Sequence, residues 1–301
     1  MEMDDVLGSA IEILCDDGVI LKGDWWRSAR KEMLGVVIMN PATGVLARYY
    51  HHYARFLSLH GFEVLTYDYR GIGLSRPERL AGCGYNWRQW GELDFDAVMR
   101  HAMQRRPGIP VSVVGHSIGG VLPGYAPNAS HLHRMLTVGA QYAYWRDYLP
   151  SHRMALFLKW HLLMPGLTAL IGYFPGRALN WLEDLPAGVA YQWGLGRERL
   201  ESRLKPCEVE QILSRFAAVT APILAIGVSD DEFGTKPAIS RTVAYFSGAE
   251  VTKAMLSPGD VGRHMVGHFD LFHARHATGF WLDTLLWLRD GINPWPNRRF
   301  D

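Results

Sequence analysis

A serine between glycines at 115 and 119, a histidine preceded by glycine at 267, and adjacent carboxylates at 230–232 are the groups whose types and order suit nucleophilic catalysis. A serine hydroxyl is a weak nucleophile. It needs a base within hydrogen-bond reach and a carboxylate that fixes the tautomer of that base. Gly115-His116-Ser117-Ile118-Gly119 has the pattern G-x-S-x-G and directly follows the apolar run Val111-Ser112-Val113-Val114. On a strand-to-helix turn of this kind the serine is held in strained backbone geometry, its hydroxyl projecting above the sheet. The flanking glycines avoid the collisions a Cβ would make. The start of the expected helix directs its N–H groups and dipole at the same spot, favouring developing negative charge. A serine that merely caps a helix after a glycine turn is the blander reading, and the apolar strand immediately before the motif makes a chance match rare.

His116 adjoins Ser117, but on a tight turn its ring points away from the hydroxyl, so its expected role is structural. His268 lies in a loop after the apolar run 251–256 and before the last expected helix, a place from which it can reach the serine. His264 and His268 are four residues apart, a metal-ligand spacing on a helix. Gly262 and Gly267 disfavour that helix, and neither a metal nor a cofactor is expected. Asp230, Asp231 and Glu232 follow the apolar run 222–227, and position alone leaves the choice among them open. One oxyanion donor is expected from the N–H of Ile118, just after the nucleophile. The second should come from Asn40-Pro41-Ala42-Thr43-Gly44. Proline has no N–H, which favours Ala42, with Thr43 as alternative.

These groups need a frame. Ile11, Ile13, Val19 and Leu21 alternate around Asp16-Asp17-Gly18, the pattern of a hairpin. Short apolar runs at 35–39, 62–67, 111–114, 134–139, 222–227 and 251–256 predict strands buried on both faces. Helical stretches are expected at 46–60, 87–103 and 274–288. The alternation implies a largely parallel sheet covered by helices on both sides. Between Gly139 and Pro222 the rhythm breaks in a segment rich in aromatic residues and helix formers, too long to be one loop. It reads as a helical insertion, which divides the chain into core (1–141), cap (142–217) and core (218–301).

Hydrophobic residues make up 48% of the 301 and charged residues 20%, with a formal net charge of +1. Nothing in that balance would draw the chain to nucleic acid or an anionic membrane. Three scattered cysteines make no disulfide framework or zinc knuckle and suit a reducing compartment. The start, residues 1–5, lacks the basic and apolar character of a secretory signal. The most apolar stretch, 154–174, is interrupted by Lys159, His161, Pro165 and Gly166, so buried or lid helices are expected rather than stable membrane insertion. A cytoplasmic protein is the expectation.

Asn40-Pro41-Ala42-Thr43-Gly44, Asp68-Tyr69-Arg70-Gly71-Ile72-Gly73-Leu74-Ser75, Gly115-His116-Ser117-Ile118-Gly119-Gly120 and Gly267-His268-Phe269 resemble the α/β-hydrolase superfamily in order and spacing. Closest in look are bacterial predicted hydrolases related to the serine aminopeptidase and monoacylglycerol lipase group. The resemblance implies an α/β-hydrolase fold with a helical cap after the sixth strand. It also implies a triad in the chain order serine, acid, histidine. Three residues after the strand-ending glycine is the acid's usual place in such relatives, which selects Asp230 with Asp231 as runner-up. Two points depart from common patterns. Asn40-Pro41 stands where many relatives carry His-Gly, and Ser117 stands where epoxide hydrolases and haloalkane dehalogenases carry aspartate. The run Asp68 to Ser75 lacks the third glycine of a dinucleotide loop, with Arg76 there instead, and reads as a scaffold turn.

The expected activity is therefore hydrolysis of a small to medium hydrophobic ester or thioester through acyl-Ser117. Tyr144, Trp145 and Trp160 of the insertion are the candidates for contact with a small-molecule acyl substrate. An acyltransferase would use the same triad with another acceptor, and a catalytically silent binding protein is the third reading.

Overall fold

The computed structural model describes residues 8–301, so the acidic start at 1–5 lies outside the described residues. In chain order the strands are β1 (Ser9–Leu14), β2 (Ile20–Trp26), β3 (Gly35–Asn40), β4 (Phe62–Tyr67), β5 (Val111–His116), β6 (Arg134–Val138), β7 (Tyr173–Phe174), β8 (Leu185–Pro186), β9 (Ile223–Val228) and β10 (Val251–Leu256). Eight of them form one sheet in the order β1-β2-β4-β3-β5-β6-β9-β10, while β7 and β8 pair as a small separate ribbon. The β1–β2 hairpin and the β2–β4 pairing are antiparallel, and β4 through β10 run parallel.

The parallel strands behave as their apolar runs predict. Every residue of β3, β4, β5 and β9 is buried, because helices cover both faces of the sheet. One apolar layer joins β1, β3 and β5 to the helical segment at 87–105. The other joins the opposite sheet face to the helix His51–Leu59 and to the C-terminal helical turns around Trp281 and Trp287. The run after β4 is a scaffold turn. Asp68 accepts hydrogen bonds from the N–H groups of Ala47 and Leu74, and the fully buried Arg70 guanidinium pairs with Asp94 and Asp17.

Between β6 and β9 the chain builds the helical stretch Arg153–Ile171, the β7–β8 ribbon and the helices Ala187–Gly194 and Pro206–Ala218. Lys159, His161 and Pro165 do not interrupt the first of these. A wide π-helical turn at Phe157–Leu163 precedes Pro165, and the His161 ring bridges Tyr148 Oη and the Gly194 carbonyl inside the fold. By length and composition Arg153–Ile171 is apolar enough to span a membrane, with mean hydropathy 1.5. Here it lies on the protein with Trp160 and Met164 turned inward and Met154, Leu158, Leu162 and Leu170 exposed.

Candidate active site

Ser117 sits at the C-terminal end of β5 with φ of 55°, one of three non-glycine residues in the left-handed region among the described residues. That conformation costs a residue with a Cβ about 1–2 kcal/mol, and its persistence marks a position the surroundings enforce. The flanking glycines are required by space. A Cβ on Gly119 would lie 2.2 Å from the Asn40 carbonyl oxygen, and one on Gly115 would lie 2.5 Å from that of Gly119. The expected α-helix after the serine is absent. Two four-residue 3₁₀ turns, Ser117–Gly120 and Leu122–Tyr125, take its place. Gly119, Gly120, Pro123 and Gly124 are poor helix formers, and a Cβ on Gly124 would strike the Phe216 ring at 2.1 Å. Local N–H groups, rather than a long helix dipole, therefore face the serine.

His268 Nδ1 lies 2.7 Å from a carboxylate oxygen, with both side chains almost fully buried. That carboxylate belongs to Asp231 and not to Asp230. Asp230 instead accepts backbone hydrogen bonds from Val266 (2.8 Å) and Gly267 (3.1 Å), fastening the loop that carries the histidine. Asp231 turns inward because its other oxygen accepts from the N–H groups of Phe233 and Gly234 in the tight turn that follows. Burial alone would lower the affinity of His268 for a proton. The charge and hydrogen bond of Asp231, with a smaller effect from Glu232, more than offset this and raise its pKa above the ordinary value. Burial would raise the Asp231 carboxyl, but His268 and the two backbone donors hold it below the usual range. Gly139, at φ of 57°, keeps the space around this pair open, since a Cβ there would stand 2.9 Å from Asp231 Oδ2 and 3.0 Å from His268 Cε1.

The loop after β3 differs from expectation in one donor. Ala42 N–H donates to Tyr50 Oη at 3.0 Å and is not free. Tyr50 Oη also lies 2.7 Å from His116 Nδ1, and His116 Nε2 lies 2.8 Å from the His268 carbonyl. A carbonyl only accepts, so Nε2 carries the proton and Nδ1 accepts from the tyrosine hydroxyl. Burial, and secondarily His268, lowers the His116 pKa to about 3, which keeps this ring neutral. His116 thus ties the loop that carries His268 to the strand that carries the serine. Among the described residues the N–H groups of Thr43 and Ile118 have no hydrogen-bond partner, and both residues line the cavity described next.

Ser117 and His268 face one cavity of about 530 Å³, a size ordinary for a small-molecule site. The core contributes Thr43, Ile118, Gln141, Phe233 and Trp87, and the segment between β6 and β9 contributes Leu156, Lys159, Trp160, Trp181, Leu182 and Trp193. Trp160 is therefore on the cavity wall. Tyr144 and Trp145 are not: the Arg241 guanidinium covers the Tyr144 ring, and Trp145 packs on Phe157. Ala143, just before them, has φ of 63°. Trp87, Phe233 and Gln141 escaped the sequence reading. For Gln141 a usable signal exists, its place just past the C-terminal end of a parallel strand, where sites of such sheets collect.

A family model described as serine aminopeptidase, S33, matches residues 31–179, a span that includes Ser117 and ends before Asp231 and His268. A monoglyceride lipase of Saccharomyces cerevisiae is 27% identical over 106 residues, 35% of this chain and 34% of the relative. The match thus spans about a third of the length of that curated relative. Among solved structures, a soluble variant of monoglyceride lipase from Saccharomyces cerevisiae, in complex with a substrate analog, superposes with a TM-score of 0.70 at 16% identity, covering 96% of each chain. An esterase from Pyrococcus furiosus gives 0.56 at 14% identity over 93% of this chain and 91% of its own.

Proposed function

We propose that this chain, which has the α/β-hydrolase fold, cleaves neutral carboxylic esters or thioesters of small to medium hydrophobic acyl groups through an acyl-Ser117 intermediate. His268 takes the Ser117 proton as Oγ attacks the carbonyl, then delivers it to the departing alcohol or thiol. Asp231 fixes the proton of His268 on Nδ1, leaving Nε2 as acceptor, and stabilises the imidazolium that forms. The N–H groups of Ile118 and Thr43 receive the developing oxyanion, each such donor contributing typically ~3–4 kcal/mol. A water molecule then repeats the sequence on the acyl-enzyme.

The observation that carries this reading is the strained Ser117 at a cavity shared with the buried His268–Asp231 pair. The wall supports the substrate class. Four tryptophans and Phe233 make it apolar, and its charged residues balance, Arg48 and Lys159 against Glu183 and Glu232. Nothing there selects an anionic substrate. The test is a series of p-nitrophenyl esters from acetate to dodecanoate. Turnover with an optimum at short to medium length is expected, with free acid as product even when an alcohol acceptor is added. Absence of turnover at every length would overturn the reading, and transfer to the acceptor as the main outcome would make the protein an acyltransferase.

A further inference from the structure

Ser117 Oγ has one hydrogen-bond partner among the described residues, and it is not His268. The side-chain Nε2 of Gln141 donates to it at 3.2 Å. Gln141 is buried, lines the cavity and stands just past the end of β6. Its amide cannot turn over freely. Oε1 accepts from the backbone N–H of Ala143, two residues on, in a turn that places Ala143 at φ of 63°. A strained backbone at a residue with a Cβ persists only where its neighbours enforce it. Here it supplies the N–H that locks the oxygen of Gln141 away from the serine and its N–H toward Oγ.

We infer that Gln141 is a further catalytic residue, whose N–H stabilises Ser117 Oγ as the leaving oxygen when the acyl-enzyme breaks down. The inference rests on the acyl-Ser117 reading. In the acyl-enzyme Oγ is an ester oxygen and a poor acceptor. Water adds to the acyl carbon, its proton passing to His268. As the intermediate collapses, the C–Oγ bond breaks, the electron pair moves to Oγ, and His268 returns the proton to it. Negative charge therefore grows on the atom that Gln141 touches, so this hydrogen bond strengthens toward the transition state, which is the condition for acceleration. In acylation the serine hydroxyl already accepts this bond in the ground state, so the gain on reaching the transition state is smaller there.

Gln141→Met removes the donor with little change of volume. The acyl-enzyme is formed from a reactive p-nitrophenyl ester, freed of excess reagent, and followed by intact mass, while kcat/KM reports acylation. Deacylation is expected to slow roughly 10–100-fold, with kcat/KM within about threefold of wild type. Deacylation within twofold of wild type would overturn the inference, and so would equal losses in both steps, which a merely structural role would give. Should the Gln141→Met protein not fold, Gln141→Glu keeps the bond to Ala143 and sets an acceptor against Oγ. With the donor gone it is expected to slow deacylation at least tenfold more than acylation, and unchanged rates or equal losses in both steps would overturn the proposal. Failure of the wild type to form any acyl-enzyme strikes the proposed function itself, which distinguishes that outcome.

Discussion

Replacing Asp231 by asparagine keeps the shape of the site and removes one charge. Both side chains of the His268–Asp231 pair are nearly inaccessible and 2.7 Å apart. At an effective dielectric near 20 the attraction between an imidazolium and a carboxylate at that distance is about 6 kcal/mol. A neutral hydrogen bond would restore about 1 kcal/mol of it, but the local geometry works against even that. Asp231 Oδ1 accepts from Phe233 and Gly234. An asparagine offers its single oxygen to those two donors and turns its NH₂ toward His268 Nδ1. The imidazole proton then moves to Nε2, the atom that accepts from Ser117 in the proposed mechanism. A loss of about 4–5 kcal/mol, roughly 10³–10⁴ in kcat, follows.

The same change alters the pH profile. Asp231 holds the pKa of His268 above its ordinary value against the opposing effect of burial. The base works when neutral, so kcat/KM rises with pH through that raised value. In Asp231→Asn the burial effect remains without its counterweight, and the acidic limb of the residual activity moves to lower pH. Asp230→Asn is the control, since it weakens one of two backbone hydrogen bonds to the 266–267 loop. It is expected to cost about 1–3 kcal/mol of stability with kcat within about tenfold of wild type. Initial rates on a short-chain p-nitrophenyl ester across pH, with urea unfolding of each protein, decide the matter. A full-rate Asp231→Asn enzyme beside an Asp230→Asn enzyme slowed a thousandfold would make Asp230, not Asp231, the acid that serves His268.

Two further outcomes follow from the surroundings of the site. Gly139→Ala inserts a methyl 2.9 Å from Asp231 Oδ2 at a positive φ, and displacement of the pair should lower kcat by at least about 10². A rate within threefold of wild type would show that the pair tolerates the intrusion. Tyr50→Phe strips the partner from both Ala42 N–H and His116 Nδ1. It should cost about 2–5 kcal/mol in denaturant unfolding, whereas a cost below about 1 kcal/mol would mean that the Ala42–Tyr50–His116 chain does not hold the loops together.

Much of the frame was legible in the sequence because each parallel strand is a short apolar run between turn residues, a pattern that burial on both faces imposes. Eight expected strands form the sheet, and the strand-poor stretch after Gly139 carries the helices over the cavity. The departures were decided by contacts distant in sequence or by single dihedral angles. Asp230 and Asp231 are chemically identical neighbours, and only the turn at Phe233 and Gly234 determines which one faces His268. Ala42 N–H is taken by a tyrosine eight residues away, at the edge of the helix His51–Leu59, which no local pattern in 40–44 reveals. Tyr144 and Trp145 are taken up by Arg241 and Phe157, contacts far away in sequence or set by the fold of the insertion, and they follow Ala143 in a conformation that its residue type disfavours. Gln141 was marked by its place just past a parallel strand, but the bond that aims its amide at Ser117 depends on the same turn.

In the proposed mechanism the Ser117 hydroxyl attacks an acyl carbon with His268 as its base. A fluorophosphonate probe followed by peptide mapping tests this most directly. One adduct is expected, on Ser117, formed in the wild type, absent in Ser117→Ala and slowed at least a hundredfold in His268→Ala. An unlabelled wild type, or an adduct on any other residue, would contradict it.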